Sequence, residues 1–264
     1  MRTSYHNHTL YSDGRATVEE MIAAARRAGL EEIGISDHFV LAADGRRFPW
    51  ALSPESLEGY VDEILRARQD SGGITIRLGL EIDYFPGMAD RVAELLEPYP
   101  FDFLIHSVHF VDGFAIDLNA GPWEGLPQEE RDRVWRVYWE YLRAAAATGL
   151  GDIIGHFDLP KKFNYHPSVD LTAEALGALD AIAGAGMAIE INCAGWDKPV
   201  REAYPAPFYV REARRRGIPL IINADAHEAG DVTRHFDRAR RLAADAGYTE
   251  QVRFERRTRI PYPL

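Results

Sequence analysis

Histidine and acidic residues recur at the ends of short apolar segments in this chain of 264 residues. Nine of them form one set of candidate ligands: His6, His8, Asp13, His38, Glu81, His109, His156, Asp225 and His227. Mixed imidazole and carboxylate ligands suit Zn, Fe or Mn and do not suit Ca. Nine ligands are too many for one ion, which typically takes about four to six. The pattern therefore predicts an active site that holds two or three divalent metal ions.

Members of this set also have structural interpretations. His6 and His8 are two residues apart and face the same side of a strand, but such a pair can also be a polar strand end. Asp13 precedes a glycine, as is common in turns. Glu81 lies inside the apolar run 78–82, where an unpaired carboxylate is costly. A bridge between metal ions or a buried salt bridge would remove that cost, and the other ligands favour the metal.

Several nearby polar residues are expected outside the ligand set. Asp37 and Asp83 are interpreted as outer carboxylates that orient ligands. His106 lies three residues before the ligand of its own segment and faces the opposite side of the strand, which favours a hydrogen-bonded core histidine. His166 and His235 are expected at the surface, with contact between His166 and a substrate as the alternative for the first.

Seven apolar or β-branched segments are predicted as strands, and the candidate ligands stand mostly at their ends. They span residues 5–9, 32–36, 74–84, 103–110, 152–156, 187–192 and 219–223. Helical patterns cover 17–29, 53–69, 89–96, 128–148, 172–184, 208–216 and 232–246, with Thr17 and Thr172 as N-caps. Seven βα units predict an α/β fold with a parallel sheet. In barrels of this type the active site lies at the C-terminal ends of the strands.

Long loops follow three of the predicted strands, at 111–127, 159–169 and 194–207. The first is rich in Gly and Pro and is interpreted as an active-site loop. The basic, then proline-rich tail 255–264 is expected either to pack across the barrel floor or to stay loose. No repeat or domain break interrupts the chain, so residues 1–264 are expected to form a single domain.

Composition narrows the classes of partner. The chain is 46% hydrophobic and 27% charged, as globular proteins are, and its net charge is −11. This charge argues against long nucleic acid but not against a small phosphate ester held by metal ions. The one cysteine, Cys193, excludes an internal disulfide, fits a reducing cytoplasm and is expected to pack as an apolar residue. No signal-type or membrane-spanning apolar run is visible, and the oligomeric state is left open.

Four motifs make the chain resemble the polymerase and histidinol phosphatase (PHP) family over nearly its whole length. They are His6-Asn7-His8, Ser36-Asp37-His38, Gly155-His156 and Asp225-Ala226-His227. The chain looks most like the monofunctional histidinol-phosphatase branch, through residues 6–14, Ser107-Val108-His109, Gly155-His156-Phe157-Asp158, Lys161-Lys162-Phe163, Glu190-Ile191-Asn192, Gly195 and Lys198. The resemblance implies a distorted, TIM-like (β/α)7 barrel with a trinuclear metal site.

Carried over by position, the resemblance implies three groups of ligands. They are His6, His8, Glu81 and Asp225 for one ion, then Glu81, His109 and His156, then Asp13, His38 and His227. The implied reaction is hydrolysis of L-histidinol phosphate to L-histidinol and phosphate in histidine biosynthesis. Our hypothesis is that a hydroxide bridging two ions attacks phosphorus, with Glu81, Asp225 and His227 as catalytic residues.

Basic loop residues are candidates for substrate binding. The set comprises Lys161, Lys162 and Lys198 as phosphate contacts and Arg46 and Arg47 as gates. Solvated surface side chains are an equally good interpretation of each. The imidazole and amine of the substrate have several possible partners: Phe48, Trp50, Trp123, Trp196, Asp117 and Asp158. Nothing in the sequence chooses among them.

Other functions remain as alternatives. One is a phosphoesterase of the same family that acts on another small phosphomonoester or nucleotide. Another is an amidohydrolase barrel, which also opens with His-x-His but uses a bridging lysine from a middle strand, where this chain has Glu81 and no lysine. A third is a non-catalytic metal-binding module, as in barrels attached to DNA polymerases. Retention of all nine ligands argues against that module.

Overall fold

The computed structural model describes residues 2–264, in which strands and helices alternate. The strands are β1 (Thr3–Ser4), β2 (Glu32–Ile35), β3 (His38–Phe39), β4 (Thr75–Asp83), β5 (Phe103–Ser107), β6 (Phe110–Val111), β7 (Phe114–Ala115), β8 (Ile153–Ile154), β9 (Ala188–Asn192), β10 (Leu220–Asn223), β11 (Glu250–Glu255) and β12 (Thr258–Pro263). The α-helices are α1 (Val18–Arg27), α2 (Leu57–Gln69), α3 (Ala89–Leu96), α4 (Gly121–Glu124), α5 (Gln128–Ala147), α6 (Thr172–Gly184), α7 (Pro207–Arg215) and α8 (Phe236–Asp245). Short 3₁₀ helices cover Pro54–Ser56, Leu159–Phe163, Ala194–Asp197 and Ala229–Asp231.

Seven parallel strands form a nearly closed barrel. Each strand pairs with the next in the order β1-β2-β4-β5-β8-β9-β10, and β3 pairs with β4 beside Glu81. The last strand meets the start of the chain at a parallel bridge between Asn7 and Ala226, where the His8 amide donates to the Ala226 carbonyl over 2.8 Å. The predicted α/β fold is confirmed, and the C-terminal ends of all seven strands share one rim.

The first strand is shorter and lies earlier than predicted. Its ladder covers only Thr3–Ser4, whereas residues 5–9 pair with the sheet through the bridge at Asn7. The side-chain amide of Asn7 donates to the carbonyls of Ser4 at 3.1 Å and Gly34 at 2.8 Å. These bonds replace ladder pairing and hold the segment that carries the first two histidines.

The predicted starts of the helices have different outcomes. The predicted capping box of α1 forms, with reciprocal hydrogen bonds between Thr17 and Glu20. The prediction of Thr172 as an N-cap is wrong, because Thr172 is already helical and its amide donates to Asp170 over 2.9 Å. The last helix begins four residues later than predicted, at Phe236, because His235 has a left-handed φ of 54°.

The tail closes the N-terminal end of the barrel. Strands β11 and β12 form an antiparallel hairpin, which places Val252 and Phe254 in a buried cluster with Tyr5 and Phe103. The floor interpretation of the tail is therefore confirmed, although the start of the hairpin was not predicted. Across residues 2–264, no helix has both the length and the apolar character needed to cross a bilayer.

Candidate metal centre

The rim of the barrel brings together all nine predicted ligands. His6 and His8 follow β1, Asp13 precedes α1, His38 is in β3, Glu81 is in β4, His109 follows β5, His156 follows β8, and Asp225 and His227 follow β10. Burial is graded across the set. The side chains of His6 and Glu81 are inaccessible, whereas those of Asp13 and His227 are 37% and 34% exposed. The centre is therefore closed toward the barrel and open toward solvent.

Glu81 lies between two groups of imidazoles. Its Oε2 is 2.7 Å from Nδ1 of His38 and 3.2 Å from Nε2 of His6. Its Oε1 is 2.9 Å from Nε2 of His156 and 3.6 Å from Nε2 of His109. A carboxylate with one oxygen toward each group has the arrangement of a bridging ligand, as the apolar run around it indicated.

Asp225 and Asp13 complete the arrangement on the open side. Asp225 Oδ1 lies 3.3 Å from Nε2 of His8 and 3.8 Å from Nε2 of His6. Asp13 Oδ1 lies 3.2 Å from Nε2 of His227. It also lies 3.5 Å from Nε2 of His38, which reaches Glu81 with its other nitrogen. The two aspartates thus face imidazoles from both ends of the chain.

Unpartnered buried atoms test whether these residues fit a metal. Nε2 of His6, both ring nitrogens of His8 and Oε2 of Glu81 are buried and form no well-aligned hydrogen bond within residues 2–264, although some of them lie close to one another. Orphaned polar atoms of this kind are costly unless a ligand satisfies them. Three sets of ligand atoms lie within 4.8 Å of one another: His8, Asp13, His38 and His227; His6, His8 and Glu81; His38, Glu81 and His109. The donor chemistry and the spacing fit several divalent ions.

Proton affinity differs sharply within the centre. Burial lowers the pKa of His8 to about 3, aided by the nearby His38 and His227, so this imidazole is neutral and available as a ligand. Burial also opposes protonation of His109, but Asp83 and Glu81 outweigh it and raise the pKa to about 10. A cation that binds at His109 therefore has to displace a proton.

Outer carboxylates hold the ligands in place. Asp83 accepts a hydrogen bond from the His109 amide at 3.0 Å and lies 3.3 Å from its Nδ1. Asp37 accepts from the Thr9 amide at 2.7 Å and from the Ser12 hydroxyl at 2.5 Å, which fixes the turn between the first two histidines and Asp13. These contacts agree with the outer positions predicted for both residues.

The remaining histidines lie outside the centre. His106 is buried against Tyr84, its Nδ1 has no partner within residues 2–264, and burial lowers its pKa to about 4. A core position was predicted, but this nitrogen lacks the expected hydrogen bond. His166 and His235 are exposed, as predicted, and Nε2 of His235 contacts Asp197 at 2.8 Å. Cys193 is buried and unpaired.

A cavity of about 550 Å³ opens above the ligands. Its wall includes Lys162 and Lys198, two of the five predicted substrate contacts. It also includes Arg15 and Arg234, which the sequence interpretation missed because both lie outside the motifs. Cationic side chains beside a metal centre form a suitable site for a phosphate group.

The other three predicted contacts do not line this cavity. Lys161 is 4% exposed, and its ammonium contacts Glu202 at 2.6 Å, Asp158 at 2.9 Å and the Ala203 carbonyl at 2.7 Å. Its donors are thus committed within the protein. The other two are exposed and paired at the surface, Arg46 with Asp44 and Arg47 with Glu55. The structure gives these three residues structural contacts instead.

Comparison with known proteins places the chain in a family. A protein-family model described as the PHP domain matches residues 4–194. The chain belongs to the PHP family. A probable histidinol-phosphatase of Deinococcus radiodurans is 40% identical to this PHP protein over 246 residues, or 92% of each chain. A histidinol-phosphatase of Bacillus subtilis is 28% identical, covering 86% of this chain and 94% of the relative.

A solved PHP structure has the same architecture. It is the crystal structure of histidinol phosphate phosphatase from Lactococcus lactis, complexed with zinc, L-histidinol and phosphate. It matches this PHP chain with a TM-score of 0.82 and 23% identity, and covers 98% of both chains. Together with the nearly closed parallel barrel, this match confirms the TIM-like fold that the resemblance implied.

Proposed function

We propose that this PHP protein is a metal-dependent phosphomonoesterase that hydrolyses L-histidinol phosphate to L-histidinol and phosphate, a step of histidine biosynthesis. The observation that carries the proposal is the convergence of nine ligands, Glu81 among them, at one rim of the barrel, under a cavity whose wall includes Lys162 and Lys198. The 40% identity to a probable histidinol-phosphatase supports the choice of substrate. In this proposal residues 1–264 act as one phosphoesterase domain.

Three groups of residues would hold the ions. They are His6, His8, Glu81 and Asp225; Glu81, His109 and His156; and Asp13, His38 and His227. The distances from Glu81 and the two aspartates support this division, with His38 between the second and third groups. Imidazole and carboxylate ligands favour Zn, Fe or Mn, in two or three sites.

Bound cations would lower the pKa of a water molecule and draw charge from the phosphoryl oxygens. Among the protein's own groups, Glu81 keeps two sets of imidazoles at a fixed separation. Asp225 and His227 line the cavity and lie 3.5 Å apart, where they would contact the attacking water and the phosphate group. Burial opposes ionisation of Asp225, but His6 and His8 keep its pKa well below the usual range, so it accepts hydrogen bonds.

Positive side chains position the substrate on the open side. Lys162 and Lys198 would bind phosphoryl oxygens, and Arg15 and Arg234 lie in the same wall, where they pair with Glu228 and Asp231. The two lysines would attract an anionic substrate in spite of the overall charge of −11. A small phosphate ester is the proposed partner, without long nucleic acid or a membrane. A biosynthetic role and the reduced Cys193 support a cytoplasmic location.

The first test is phosphate release from L-histidinol phosphate by protein loaded with Zn, Mn or Fe, compared with a panel of other phosphomonoesters and nucleotides. His8→Ala removes a ligand, and His166→Ala removes an exposed histidine as the matched control. We expect strong preference for histidinol phosphate, loss of activity and bound metal in His8→Ala, and neither loss in His166→Ala.

Other outcomes would overturn parts of the proposal. Equal activity on many esters would retain the metal chemistry and reject histidinol phosphate as the substrate. Metal binding without turnover of any ester would reject the proposed enzymatic activity and favour a non-catalytic metal-binding module.

A further inference from the structure

A second cavity, of about 300 Å³, adjoins the metal centre, and neither Arg15 nor Arg234 lines it. It shares His38, His109 and Lys162 with the larger cavity, so the two meet at the ligands. The rest of its wall is different in chemistry. The larger cavity adds basic side chains, whereas the smaller one adds the rings of three residues: Phe48, Trp50 and Phe110.

The rings form one connected apolar wall. The ring centroids of Phe48 lie 5.0 Å from Phe110 and 5.4 Å from Trp50. Trp50 also meets the ring of His38 edge to face at 5.2 Å. The segment is anchored to β3, because the Leu52 amide donates to the His38 carbonyl over 2.8 Å. The position of this wall is therefore tied to a metal ligand.

One carboxylate outside the ligand set faces both cavities. The ammonium of Lys162 donates to Asp117 Oδ2 at 3.0 Å and to the Asp117 carbonyl at 2.7 Å. Oδ1 of Asp117 accepts no hydrogen bond from residues 2–264, although the side chain lines both cavities. Burial opposes its ionisation, but Lys162 and His109 outweigh burial and lower its pKa to about 2. A free anionic oxygen thus stands between the phosphate side and the aromatic wall.

The sequence left six residues as possible partners of the imidazole and the amine, and the structure excludes three of them. Trp123 is fully buried and its indole nitrogen donates to the Ile116 carbonyl. Trp196 is 6% exposed and lines neither cavity. Asp158 is buried and paired with Lys161. An alcohol whose phosphate lies at the metal centre therefore meets an aromatic wall and one free carboxylate.

We propose that this second cavity recognises the alcohol half of the substrate, with Phe48 and Trp50 packing on its imidazole ring and Asp117 accepting a hydrogen bond from its ammonium group. This inference rests on the proposed function, because it takes the occupant to be histidinol phosphate. Aromatic faces attract an imidazole in both its neutral and its cationic form. A carboxylate beside the rings would favour an amino alcohol over a nucleoside, because a nucleoside has a ring but no ammonium group to donate to it.

Three phosphate esters separate the two contacts. The first is L-histidinol phosphate. The second, 3-(imidazol-4-yl)propyl phosphate, is the same ester without the amino group. The third, O-phosphoethanolamine, has the amine but no ring. In the wild type we expect kcat/KM to fall for both simpler esters. Asp117→Asn should raise KM for histidinol phosphate about 10- to 100-fold. The same variant should change KM for the analogue without the amine by less than about twofold.

Trp50→Ala tests the ring contact. It should lower kcat/KM for both imidazole esters about tenfold and leave O-phosphoethanolamine unchanged. Trp50→Phe should recover most of the loss, because a ring face is restored. If Trp50→Ala does not fold, Phe48→Leu removes a ring from the same wall. The matched controls are Asp112→Asn, in the same loop as Asp117, and Phe208→Ala, an exposed ring elsewhere.

The failures are distinguishable. If Asp117→Asn reduces turnover of the esters with and without the amine equally, Asp117 acts through Lys162 and ammonium recognition is wrong. If Trp50→Ala affects all three esters equally, the aromatic wall has no selective role. If the wild-type protein does not hydrolyse histidinol phosphate but hydrolyses other esters, the proposed function itself is wrong, whatever the variants show.

Discussion

The carboxylate of Glu190 lies 3.0 Å from Nδ1 of His6, on the opposite side of the ring from Glu81. Glu190 is fully buried in β9 and also accepts hydrogen bonds from the His156 amide at 2.8 Å and the Asn223 side chain at 2.8 Å. It therefore fixes the ring of one ligand and the backbone of another. With Nδ1 as donor to Glu190, Nε2 of His6 is left free for a metal.

Glu190→Gln should weaken metal binding about 10- to 100-fold, because the neutral amide orients and polarises His6 less well. Metal titration of the purified protein measures the change directly. Glu129→Gln, an exposed substitution at the start of α5, is the control. An unchanged affinity in Glu190→Gln would show that the contact contributes packing only.

Metal binding should release protons and strengthen as pH rises. Asp83 and Glu81 raise the pKa of His109 to about 10 in spite of burial, so this ring is protonated at neutral pH until a cation displaces the proton. The proton is bound below that pKa, so affinity should increase from pH 6 toward pH 9 as competition falls. Calorimetry in buffers of different ionisation enthalpy counts the protons. Binding independent of both buffer and pH would contradict a protonated His109.

Adjacent lysines should behave differently when removed. Lys161→Met leaves the buried carboxylate of Asp158 without its partner and should destabilise the fold by about 3–5 kcal/mol. Lys198→Ala removes a cation from the cavity wall and should lower kcat/KM about 10- to 100-fold. Denaturant unfolding and steady-state kinetics on both variants separate the effects. Equal stability and a shared kinetic defect would mean that Lys161 also contacts substrate.

The tail hairpin should contribute stability and not chemistry. Phe254 is 2% exposed and packs with Tyr5 at the floor, so Phe254→Ala should cost about 3–5 kcal/mol of unfolding free energy. Glu250→Ala, an exposed change in the same strand, should have little effect. Urea unfolding gives the stability, and metal content of the folded fraction should be unchanged. Loss of metal in a folded Phe254→Ala would connect the floor to the rim.

The sequence was most informative about residues that follow strands. A parallel barrel brings the C-terminal ends of its strands together, so an apolar run that ends in a histidine predicts both an element and a direction. That reasoning placed His109 and His156, whereas Glu81 was predicted from the cost of an unpaired carboxylate inside an apolar run. It also separated His106 from His109, because residues three apart in a strand face opposite sides.

Substrate contacts were harder to predict, since they depend on loops without such periodicity. Lys161 and Lys162 are adjacent in one 3₁₀ helix, yet the first binds Asp158 and the second Asp117. Arg46 pairs with Asp44 and Arg47 with Glu55, and the sequence alone does not show which of the nearby acidic residues each arginine contacts. Arg234 lines the cavity from a segment with no motif around it.

The bridge between Asn7 and Ala226 has a consequence for biosynthesis of the protein. It brings the first two histidines against Asp225 and His227, so the centre draws on residues separated by almost the entire chain. A nascent chain on the ribosome has only part of the ligand set until residue 227 has been translated and has left the exit tunnel. We therefore expect the full ligand set to capture metal only after His227 has emerged and the barrel has closed.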